Sequence, residues 1–128
     1  MGDKNNAVSW FEIPVKDMQR AITFYNQVFG YELEHHVFGD EEMAWFPFKE
    51  DGTGASGSLV KNEEFYKPSV NGILVYFSSP SGDLATELAK VESAGGRVLQ
   101  AKKLITEEIG YMGLFLDTEG NRLAIHSR

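Results

Sequence analysis

WFEIPVKDMQRAITFYNQVFGYEL, residues 10–33, carries the reading of the fold. It opens inside an apolar, strand-like run from Val8 to Pro14. Asp17 follows as an N-cap, its carboxylate placed to accept from backbone N–H groups of a first helical turn. Met18, Ala21, Ile22, Tyr25, Val28 and Phe29 then recur at i, i+3, i+4 and i+7, the stripe of an amphipathic helix. Gly30 ends that helix, because glycine takes the left-handed C′ conformation without steric cost.

The same grammar returns downstream. Ile73–Phe77 is a short apolar run of β-branched and aromatic residues, Asp83 is a second cap, and Leu84, Leu88 and Val91 form the buried stripe. Gly95-Gly96 is the stop, so Asp83 to Gly96 spans the same interval as Asp17 to Gly30. Equal spacing with little identity points to an old duplication. Three strand candidates follow each helix. They are Tyr31–Phe38, Glu42–Phe48 and Ala55–Val60 in the first half, and Arg97–Gln100, Tyr111–Asp117 and Asn121–His126 in the second. Gly39-Asp40, Asp51-Gly52 and Thr118-Glu119-Gly120 supply turns. The expected architecture is one α+β domain over 1–128, built of two tandem βαβββ modules. The first covers about 7–62, a linker covers about 61–71 around Pro68, and the second covers about 71–127.

Composition narrows the function. Twelve Lys and Arg face 19 Asp and Glu, a net charge of −7, and no basic cluster suits nucleic acid. The same balance repels an anionic membrane and favours a neutral or cationic guest. The absence of Cys removes disulfides, thiolate zinc knuckles, iron–sulfur clusters and a Cys nucleophile, and fits a reducing cytoplasm. The opening MGDKNN lacks an apolar h-region, Asn6 stands where N-myristoylation wants Ser or Thr, and no window has the length of a membrane span. A soluble cytoplasmic protein is the expectation. GTGASG, residues 52–57, matches G-x-G-x-x-G, but a strand rather than a helix follows it, so it reads as a hairpin connection on the rim of a site. Ser56 is no nucleophile elbow, because Ser58 replaces the final glycine of that motif.

The run from Val15-Lys16-Asp17 through Phe24-Tyr25 to Phe29-Gly30, with KVESAGGRVL (90–99) and LFLDTEGNRLAI (114–125), resembles the vicinal oxygen chelate superfamily. That superfamily includes glyoxalase I, bleomycin- and fosfomycin-resistance proteins and extradiol dioxygenases. The resemblance covers almost the whole chain and implies a fold in which the modules curl their mixed sheets into a cup, usually closed by homodimer formation. In metal-using members it also implies a divalent ion held by His, Gln or Glu from the first and last strands of each module. Carried onto this chain, those positions fall on Trp10, Gly72, Ala124 and a residue near Ser58, with Ser56 and Val60 on the same face. None of these side chains replaces an imidazole or a carboxylate. A shifted site would offer only Glu12 and His126, beside Leu74 and Ser56 or Val60, which is too few donors. No metal and no cofactor are therefore expected.

The candidate ligand-binding residues are Trp10, Glu12, Trp45, Ser58, Tyr76 and His126. Trp10 either fills the cup or offers a stacking surface. Glu12, a carboxylate in an apolar strand, needs a protein cation, a cationic ligand group or a substrate proton to take as general base. Trp45 and Tyr76 could enclose a small guest, with Gly72 and Ala124 leaving room. His35 and His36 point to opposite faces; parity places His36 with Glu32 and Glu34 on a solvated face, and His35 with Leu33 and Val37 in the core. The leading expectation is a metal-free protein that sequesters or senses a small molecule. A lyase, isomerase or dioxygenase with an atypical site is the alternative, and an assembly module plugged by Trp10 is the third.

Overall fold

The computed structural model describes residues 6–128; the polar start at 1–5, where the reading above places neither a signal peptide nor a lipidation site, lies outside them. The chain runs β1 (Trp10–Pro14), α1 (Met18–Phe29), β2 (Glu34–Phe38), β3 (Glu41–Trp45), β4 (Ser56–Lys61), β5 (Tyr76–Ser78), α2 (Leu84–Val91), β6 (Arg97–Thr106), β7 (Gly110–Leu116) and β8 (Arg122–Ser127). Two βαβββ modules result, each a four-stranded mixed sheet with one helix. The orders are β1-β4-β3-β2 and β5-β8-β7-β6, with the β1–β4 and β5–β8 pairs parallel. The two sheets are not joined into one, because β1 bonds only to β4 and β5 only to β8.

Local chemistry sets both helices. Asp17 accepts from the Arg20 amide at 3.1 Å and Asp83 from the Ala85 amide at 3.0 Å. Gly30, at φ 72°, ends α1 with its N–H on the Asn26 carbonyl. The α-helical part of α2 stops earlier than the sequence suggests, at Val91, and Gly95-Gly96 closes a following turn. Strand ends moved more. β6 extends to Thr106, well past the expected Gln100, because its pairing with β7 is broken by register shifts that destroy the period-two alternation. β5 shrinks to Tyr76–Ser78, with Gly72 in the preceding turn.

One aromatic core joins the modules. Tyr25, Phe29 and Phe46 from the first surround Phe77 of β5, and Phe24 and Phe29 reach Phe115 of β7. Gly57 lets β1 and β4 close up, since a Cβ there would stand 2.2 Å from the Phe11 carbonyl oxygen. The β7–β8 turn is tied to α1 by polar contacts. Asp117 accepts from the Tyr25 hydroxyl at 2.8 Å and from the backbone of Glu119 and Asn121. Burial pushes both the Tyr25 hydroxyl and the Asp117 carboxyl upward in pKa, with the hydrogen bonds opposing the shift at Asp117. Among the described residues, no helix is long and apolar enough to cross a membrane.

Candidate functional site

Each sheet turns one face to its helix and leaves the other, inner face uncovered by helix. Strand register assigns the inner faces. Trp10 lies opposite Ser56, Glu12 opposite Ser58, and Trp45 opposite Ser58 from the other side. In the second module Tyr76 lies opposite Ala124. Tyr76 is thus to β8 what Trp10 is to β4, and Gly72 falls outside the strand. The first-and-last-strand positions are therefore Trp10, Ser56, Tyr76 and Ala124, replacing the sequence-based assignment of Gly72 and Ser58. An indole, a phenol, a hydroxyl and a methyl do not form a chelating set, so the residues do not fit the ion the resemblance implies. Among the described residues, no three His, Asp or Glu side chains cluster closely enough to hold a metal.

Between β1 and β5 lies a cavity of about 690 Å³, lined by Trp10, Glu12, Leu74, Tyr76, Lys67 and Arg122 among others. Trp10 keeps 43% and Tyr76 51% of their surface exposed. Trp10 therefore walls this seam groove and does not plug it, which removes the basis for a filled assembly module. Among the described residues, Glu12 makes no ion pair. The Tyr66 hydroxyl, from the linker, donates to its Oε1 at 2.6 Å. That bond holds the Tyr66 pKa up to about 12. A second cavity of about 340 Å³ adjoins Tyr76 and is rimmed by the glycine-rich connection at 52–56.

The other sequence-derived residues lie outside the groove. Trp45 and Ser58 share the inner face of the first sheet, where Trp45 packs on His36 with ring centroids 4.0 Å apart. The buried Trp45 Nε1 and Ser58 Oγ have no hydrogen-bond partner among the described residues. His126 is on the inner face of β8, where its Nε2 meets the Ile109 carbonyl at 2.7 Å. The two histidines of β2 reverse their expected places. His36 joins Trp45 on the inner face, and His35, exposed, pairs with Glu42 at 2.5 Å. Parity had separated the two faces correctly but not said which was covered. β2 is an edge strand, and its helix-side Val37 remains exposed.

Sequence reasoning missed Arg122, Tyr66 and Lys67. Arg122 carried a signal, since it shares strand parity with Ala124 and His126. Tyr66 and Lys67 sit in the irregular linker, where no periodicity announces a direction.

Comparison with known proteins agrees with this architecture. Residues 7–125 match the Glyoxalase/Bleomycin resistance protein/Dioxygenase superfamily. A glyoxylase-like domain-containing protein of Didymella fabae is 30% identical over 124 residues, covering 94% of this chain and 93% of that protein. TnmS3, an antibiotic binding protein from Streptomyces sp. CB03234, superposes with a TM-score of 0.67 at 20% identity over 98% of both chains. Glyoxalase I from Zea mays superposes with a TM-score of 0.68 at 17% identity over 93% of this chain, which spans only 43% of the maize protein.

Proposed function

This chain belongs to the Glyoxalase/Bleomycin resistance protein/Dioxygenase superfamily, and on that premise we propose that it binds a small molecule in the seam groove without a metal ion. The observation that carries this reading is the open cavity of about 690 Å³ walled by Trp10 and Tyr76. Two half-exposed aromatic faces on opposing strands suit a flat apolar guest. The fold is compatible with binding without turnover, as the likeness to an antibiotic binding protein illustrates.

The test is thermal melting of chelator-treated protein against Ni²⁺, Zn²⁺, Mn²⁺ and Fe²⁺, and against a panel of flat aromatic compounds. A ligand at 100 times Kd adds about 2.7 kcal/mol to the native state, a melting shift of several degrees. Compounds that raise Tm in the parent but not in Trp10→Ala or Tyr76→Ala are the expected result, with no response to the metals. A saturable shift with one metal, lost in Glu12→Gln or His126→Ala, would replace this reading with a metal-dependent enzyme. Glu12 favours a second, enzymatic reading, because a carboxylate without an ion pair among the described residues lines the groove and accepts from a phenol. On that reading, Glu12→Gln abolishes turnover of a bound substrate while leaving its Kd unchanged.

The working unit is proposed to be a homodimer. Val37 and Phe38 on β2, and Leu104, Ile105 and Ile109 at the β6–β7 hairpin, expose apolar surface that supports pairing. Sedimentation equilibrium is expected to give twice the 14.3 kDa chain mass, and a single-chain mass at micromolar concentration rejects the dimer.

A further inference from the structure

Resting on the reading of the seam groove as a small-molecule site, we propose that its guest is anionic: a flat apolar molecule bearing a carboxylate or an equivalent oxyanion. The chain as a whole carries −7, which by itself favours the opposite charge. The groove reverses that balance. Among the described residues its one acidic lining residue is Glu12, whose Oε1 already accepts from Tyr66. Its cations are Lys67 and Arg122, and neither makes an ion pair among the described residues. Lys67 Nζ reaches only the Glu63 carbonyl, at 3.5 Å.

Elsewhere Arg20 holds Glu119 and Lys102 holds Asp83, while the other described Lys and Arg are also without an ion pair, so what sets Lys67 and Arg122 apart is their place in an apolar groove. Lys67 and Arg122 share the groove lining with Trp10, Leu74 and Tyr76. Low-dielectric walls strengthen the pull of a nearby charge relative to open water and focus it into the cleft. Arg122 enters from the inner face of β8, next but one to Ala124. Its planar guanidinium can meet a carboxylate through two parallel N–H donors, which gives orientation as well as attraction. The aromatic walls would hold the apolar body while the cations at the groove hold the oxyanion.

Three isosteric probes test the charge preference by titration calorimetry on the full chain at low salt: 2-naphthoate, 2-naphthamide and 2-naphthylmethylammonium. The naphthoate is expected to bind about tenfold more tightly than the amide, with the ammonium weakest. Added NaCl is expected to weaken the naphthoate selectively. The double variant Lys67→Gln/Arg122→Gln, both exposed positions, is expected to erase the preference, so that naphthoate binds no more tightly than the amide to the same variant. Equal or tighter binding of the amide or ammonium, or a preference that survives in the double variant, overturns the anionic guest while leaving the groove a binding site. Failure of all three probes to bind overturns both the guest assignment and the small-molecule reading beneath it.

Discussion

Glu119→Gln is expected to destabilise the protein by about 2–3 kcal/mol, measured by urea unfolding at neutral pH. The Glu119 side chain is fully buried and accepts only from donors. Its Oε1 takes the backbone N–H groups of Lys16 and Asp17, both at 2.8 Å, and Arg20 Nη2 at 3.0 Å. Its Oε2 takes Arg20 Nε at 2.7 Å and the Thr118 hydroxyl at 2.9 Å. A glutamine there must turn an NH₂ group toward one of these donors, leaving at least one contact repulsive. α1 has no acid in its own first turn. Beyond the Asp17 cap, the second module therefore adds the negative charge that the N-terminus of this helix favours.

The same site predicts a pH dependence. Burial raises the Glu119 pKa, but the Arg20 hydrogen bond and the amides of Asp17 and Lys16 outweigh it and bring the pKa from 4.5 down to about 2. Because the folded value is depressed, the stabilisation is complete above the unfolded pKa near 4.5 and is lost as pH falls through about 2. Between those limits the parent is expected to lose stability more steeply than Glu119→Gln. Parallel acid profiles for the two proteins would refute this role for Glu119.

Phe77→Ala is expected to cost about 3–5 kcal/mol, the range for truncating a buried aromatic. Phe77 is 6% exposed, and its ring lies 4.9 Å from Phe29, 5.4 Å from Phe46, 5.8 Å from Tyr25 and 5.9 Å from Phe11. All four neighbours belong to the first module. Truncation opens a void between the modules beside Phe11, which lines the groove, so it is expected to weaken groove binding as well as stability. Phe77→Leu, which refills part of the volume, is expected to recover about half the loss. A cost below about 1 kcal/mol for Phe77→Ala would mean that the modules are held together chiefly by the polar ties of the β7–β8 turn.

The helices and the duplication were legible because their signals are local. A cap, a stripe at i and i+4 and a terminal glycine act within a few residues of one another, and Asp17, Met18–Phe29 and Gly30 do in the structure what their spacing predicts. Strand limits were less legible. The shifts in the β6–β7 register break alternation from Gln100 onward, so a two-residue period stops where the strand continues. Of the six candidate ligand-binding residues, strand parity could collect Trp10, Glu12, Trp45, Ser58, Tyr76 and His126 on inner faces, but it could not say which of them surround one space.

By itself the sequence determined two βαβββ modules and the ends of α1, since residue type and short-range periodicity suffice for each. Only the tertiary structure decided that β1 and β5 leave a groove between them, that Tyr66, Lys67 and Arg122 reach Glu12 or that groove, and that Glu119 completes a helix 99 residues away from it at Arg20. These depend on which distant surfaces meet. Any one strand pattern fits several such meetings, and burial of the shared aromatic core around Phe77 selects among them.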